Sequence, residues 1–188
     1  LNDSNVRLLA DQLPQLVSIT PNKPAGIYGA GDEIIFTFLF SDFVSIISNV
    51  TESNTENAFA KLNSPSYLVT NIDGTVDEFK AQLNFTGNYN IRSLTHEFKY
   101  IVDERDGDGN AVSINFGNGS DFNFNMRGGI FRDDMAHVWN IITSKPDTSV
   151  VDQLVIDTSV PSALSVDVVN PDGTYFPGQS LYMSVTFD

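Results

Sequence analysis

Residues 103–110 read Asp-Glu-Arg-Asp-Gly-Asp-Gly-Asn, which puts four candidate oxygen ligands, Asp103, Asp106, Asp108 and Asn110, into one short turn. Asp106, Asp108 and Asn110 alternate with Gly107 and Gly109. Oxygen donors at alternate positions, with glycines that permit a tight bend, suit a hard cation such as calcium. The spacing opens like a calcium-binding helix-loop-helix loop but does not close like one. Ala111 stands where that loop needs glycine, and Gly117 where it needs a bidentate glutamate. A plain Asp/Gly/Asn hairpin turn, selected for backbone freedom, accounts for the same residues. Two expectations therefore stand side by side: a calcium site at Asp103, Asp106, Asp108 and Asn110, or a solvated turn. The formal net charge of −14 favours a bound cation, because crowded carboxylates repel one another in the folded state.

Other chemistry is sparse. There is no cysteine, so disulfides, thiolate nucleophiles and thiolate metal sites are excluded. His96 lies on the apolar-rich side of an alternating run and reads as a hydrogen-bonded core or edge residue. His137 follows Asp133 and Asp134 and precedes Trp139. No serine or threonine sits in a nucleophile-elbow pattern, and no carboxylate pair stands out among the 24 acids, so the chain reads as non-catalytic. Trp139 and the six tyrosines could form a sugar-stacking platform, which makes a carbohydrate-binding module the alternative reading. Asn-x-Ser/Thr sequons occur at Asn2, Asn49, Asn84 and Asn118.

Charge and hydropathy exclude further classes. An acidic surface repels nucleic-acid phosphates and disfavours docking on anionic lipid. No apolar run approaches the roughly 18 residues of a membrane helix, so no membrane insertion is expected. Residue 1 is Leu and no signal segment follows, so the chain reads as a mature product or an excised piece. A polar surface rich in Asn, Ser and Thr, without cysteine, suits a secreted or cell-surface protein.

The elements that must position these residues are strands. Apolar residues recur with period two at Ile34, Phe36, Phe38 and Phe40, and again at Phe79, Ala81, Leu83 and Phe85. The pattern continues at His96, Phe98, Tyr100 and Val102, at Val112, Ile114 and Phe116, and at Phe122, Phe124 and Met126. Shorter runs fall at 16–20, 67–70, 138–143 and 153–157. Gly, Asn and Asp clusters separate them. A short helix is expected only at 54–62. Eight or nine such strands, apolar on one face, predict an all-β, Greek-key β-sandwich.

The chain also matches itself. Shifted by 147 residues, its first 41 positions fall on its last 41 with seven identities and no gap. Pro14 meets Pro161, Ser18 meets Ser165, Pro24 meets Pro171, and Gly26 meets Gly173. Tyr28 meets Tyr175, Gly31 meets Gly178, and Phe40 meets Phe187. The identities gather where backbone chemistry matters, which points to an internal repeat. Residues 14–160 then form one unit, residues 1–13 the tail of a preceding unit, and residues 161–188 the first strands of a following one.

These residues carry a resemblance. The chain resembles the tandem immunoglobulin-like, cadherin-like repeats of large secreted or surface proteins, chiefly bacterial adhesins. Their opening turn and strand match PAGIYGAGDEIIFTFLFSDFV at 24–44, with Asp42 in place of a glutamate. FKYIV at 98–102, DERDGDGN at 103–110, GGIFRDD at 128–134 and DTSVP at 157–161 follow in the family's order. The period of 147 exceeds the roughly one hundred usual for such repeats. The excess sits between Ser45 and Asp77, and Asp157 has no acidic counterpart at Ala10. The resemblance implies an immunoglobulin-like sandwich and a structural or adhesive role outside the cell or on its surface. It also implies partners that are copies of itself, neighbouring repeats or cell-surface glycans, a calcium site in the Asp-rich turn, and a second site at the Asp157 joint. The apolar stripe Leu181, Met183, Val185 and Phe187 has no sheet of its own to cover, so assembly into a filament or sheath by strand or tail packing between chains is expected.

Overall fold

A computed structural model describes residues 14–48, 59–117, 129–132, 138–139 and 146–187. The described residues are all-β apart from two short 3-10 turns. The chain divides into two compact units, Leu1–Thr158 and Ser159–Asp188.

In the first unit ten strands are described: β1 (Leu16–Pro21), β2 (Gly26–Tyr28), β3 (Glu33–Ser48), β4 (Phe59–Thr70), β5 (Val76–Phe85), β6 (Arg92–Ile101), β7 (Val112–Ser113), β8 (Gly129–Arg132), β9 (Val138–Trp139) and β10 (Leu154–Ile156). The larger sheet is antiparallel, in the order β4-β5-β6-β3-β8-β9, with β1 also on β3. A smaller sheet runs β2-β10-β7, with β2 and β10 parallel. Period-two alternation sends Ile34, Phe36, Phe38 and Phe40 of β3 inward, where they meet Phe98 and Tyr100 of β6 and Leu154 and Ile156 of β10 in one core. Phe36 and Phe38 both touch the ring of Phe116 edge-on, at 5.5 and 5.9 Å between centroids.

Two expectations change. Phe59–Leu62, expected as the end of a short helix, belongs to β4. Ala60 and Leu62 are buried while Lys61 and Asn63 are exposed, and that two-residue period is a strand's. The rest of that segment lies outside the described residues, as do the 122–126 run, His137, Asp133 and Asp134. The Asp-rich turn, in turn, does not close a hairpin. It carries the chain from β6 in the larger sheet to β7 in the smaller one.

The second unit is a hairpin of β11 (Ala163–Val168) and β12 (Met183–Phe187). Its pairing reproduces that of β1 with β3, position for position, at the 147-residue offset. Leu16↔Phe40 becomes Ala163↔Phe187, Ile19↔Phe38 becomes Val166↔Val185, and Pro21↔Phe36 becomes Val168↔Met183. The register shift between Leu16 and Ser18 recurs between Ala163 and Ser165. Tyr28 donates its hydroxyl to the Pro24 carbonyl at 2.6 Å, and Tyr175 donates to Pro171 in the same way. Gly31 and Gly178 both sit in the left-handed region, at φ 87° and 93°, which a Cβ disfavours. The Gly29 amide bonds Oδ2 of Asp32, and the Phe176 amide bonds Oε1 of Gln179, so Gln replaces Asp without loss of the contact.

Candidate functional site

The Asp-rich turn begins where β6 ends. Asp106–Gly109 form a 3-10 turn broken by two left-handed residues, Gly107 at φ 79° and Asp108 at φ 52°. Asparagine and aspartate tolerate that region better than other residues with a side chain, and glycine most of all. The four predicted ligands take separate partners. Asp103 is gripped by Arg105, which gives Nε to Oδ1 at 2.8 Å and Nη2 to Oδ2 at 2.9 Å. Those hydrogen bonds hold its carboxyl well below the usual range, at about 2. Asp106 points inward and is buried. Its Oδ2 accepts from the Tyr100 hydroxyl at 2.5 Å and from the Asp103 amide at 2.9 Å. Asp108 accepts from the Leu68 amide at 3.2 Å, and Asn110 donates to the carbonyls of Gly107 and Asp108.

These side chains are neighbours in sequence without converging on a point. Among the described residues no three His, Asp or Glu side chains are grouped to hold a metal ion. Asp106 Oδ1 is buried and has no hydrogen-bond partner. Each of the four side chains expected to hold calcium is thus engaged by protein groups in this arrangement. The arrangement is a bracket: Asp106 ties the end of β6 to the turn through its side chain, and its carbonyl accepts from Thr158 Oγ1 at 2.7 Å. Thr158 belongs to the DTSVP segment, so the turn anchors the end of the first unit. The Asp157 amide donates to the Tyr28 carbonyl at 3.0 Å, and Gly31 N reaches Val102 O at 2.9 Å. Tyr100, six residues before Asp106, is the partner that spacing alone did not single out. Burial, then the Asp106 carboxylate, raises the Tyr100 phenol far above its ordinary value.

A cleft of about 260 Å³ opens beside this bracket. It forms because β5 pairs with β4 alone over Val76–Lys80 and joins β6 only at its end, over Leu83–Phe85. Lys61, Lys80 and Gln82 line it, together with Tyr67 and Phe79. Those two rings are cross-strand partners stacked at 5.5 Å and 10°, and Arg105 lies 4.4 Å from the Tyr67 centroid. No sequence pattern marked this place, because it depends on where two strands part.

His96 is buried, as its alternation implied, with Nε2 2.8 Å from the Val44 carbonyl. That contact places the proton on Nε2. Burial holds its pKa below the ordinary value. Trp139 lies in β9, and its side chain is outside the described residues, as are the sequons at Asn2, Asn49 and Asn118. Asn84 is exposed on β5. No family model, curated protein or solved structure matches the chain.

Proposed function

We propose that the chain is a non-catalytic structural or adhesive repeat of an extracellular or cell-surface protein. It comprises one Greek-key, immunoglobulin-like β-sandwich (residues 14–160), followed by the first strands of a like unit (161–188). The observation that carries this reading is the pair of hairpins 147 residues apart, which share register, register shift, tyrosine clasp and left-handed glycine. One coincidence of turn residues is common; agreement in all four supports the reading of a repeated unit. The mechanical role follows from the architecture. The unit buries its own core, and the Thr158–Asp106 bond holds its exit segment against the body. The test is the complete parent polypeptide. Further copies of Pro-x-Gly-x-Tyr-x-x-Gly at a spacing near 147 are expected, and their absence would overturn the reading.

A second reading, carbohydrate binding, draws on the stacked Tyr67 and Phe79 beside Lys61, Lys80 and Gln82. Aromatic faces next to polar side chains suit sugar rings. Nuclear magnetic resonance titration with oligosaccharides tests it. Unmoved Tyr67 and Phe79 ring signals would remove it.

A further inference from the structure

β3 has two neighbours along its first half. Phe36 faces Pro21 on one side and Phe98 on the other, and Phe38 faces Ile19 and His96. Met183 and Val185 take the same places in β12. They pair with Val168 and Val166 of β11, and among the described residues β12 has no second neighbour. Phe36 and Phe38 are 0% exposed, whereas Met183 is 64% and Val185 46% exposed. The stretch Met183–Phe187 carries no charge and no proline, which are the devices that natural edge strands use against pairing. A two-stranded hairpin is also marginal by itself.

We propose that the free edge of β12 is an acceptor for one antiparallel strand of the β6 kind, supplied by a further copy of the unit. The incoming segment carries apolar side chains at alternate positions. It docks with its counterparts of Phe98 and His96 opposite Met183 and Val185. The first unit specifies this occupant, because β6 is what covers the same positions of β3. Main-chain hydrogen bonds supply affinity and the alternate side chains supply register.

The inference rests on the repeat reading of the second unit. The test exploits the absence of cysteine from the chain. Ser184 corresponds to Thr37, which faces Glu97. The full chain carrying Ser184→Cys is equilibrated in a thiol–disulfide buffer with three peptides of residues 92–102, which carry Glu97→Cys, Ser93→Cys or Ile101→Cys. The Glu97→Cys peptide is expected to cross-link about tenfold more than the others, because a docked strand raises the local concentration of its thiol. Equal yields from the three peptides overturn the proposal, as does a predominant disulfide between two Ser184→Cys chains. Hydrogen exchange of the chain alone separates the two failures. Unprotected Asp167 and Ser184 amides, which face each other across the hairpin, remove the repeated hairpin itself. Protected amides with no preferred peptide remove only the acceptor edge.

Discussion

Tyr100 and Asp106 meet in the buried interior, the phenol donating to Oδ2 at 2.5 Å, six residues apart along the chain. The same oxygen receives the Asp103 amide. Removing the carboxylate leaves both donors without their acceptor. Asp106→Ala is expected to lower stability by about 1–3 kcal/mol, the cost of unsatisfied buried groups. Asp152→Ala, at an exposed position, should stay within about 0.5 kcal/mol. Urea denaturation measures both, and equal midpoints would refute the bracket.

Asp103 is held by Arg105 and Asp106 is turned inward. Calcium should therefore leave the melting midpoint unchanged relative to chelator, since a ligand stabilises only in proportion to its binding to the native state. Arg105→Ala releases Asp103 and serves as the comparison. A calcium-dependent rise in the unmodified chain would decide for the metal reading of the turn.

His96 is kept neutral by burial, its folded pKa lying below the unfolded 6.5. Between those two values the unfolded chain binds a proton that the folded chain does not, so stability rises with pH there. The contribution is complete above about pH 6.5 and is lost as pH falls through the folded value. His96→Gln should flatten the fall in stability between neutral and mildly acid pH. An unaltered slope, measured by denaturation at a series of pH values, would assign the dependence elsewhere.

Phe38 and Val185 occupy the same place in the two hairpins, one buried and one exposed. Phe38→Ala should cost about 3–5 kcal/mol, as core aromatic truncations do. Val185→Ala should change the stability of the chain alone by no more than about 0.5 kcal/mol. A large loss from Val185→Ala would mean that the second hairpin is already covered.

Local rules made much of this molecule legible. The alternation at Ile34–Phe40 and His96–Val102 located β3 and β6, because a strand must send alternate side chains to one core. Pro24, Tyr28 and Gly31 announced a turn that recurs at Pro171, Tyr175 and Gly178, because proline fixes φ and glycine alone enters the left-handed region freely, wherever they occur. Burial of His96 followed from its place in the same alternation.

Partnership was settled only in three dimensions. Composition could not say that Asp103 would face Arg105, that Asp106 would turn toward Tyr100, or that Tyr67 would stack on Phe79 across β4 and β5. Nor could it show that the residues from Phe59 to Leu62 extend as a strand against β5. A side chain's periodicity and φ preference belong to its own neighbourhood in the sequence. Which donor meets which acceptor depends on register and on where two strands diverge, and both are fixed by contacts between distant segments.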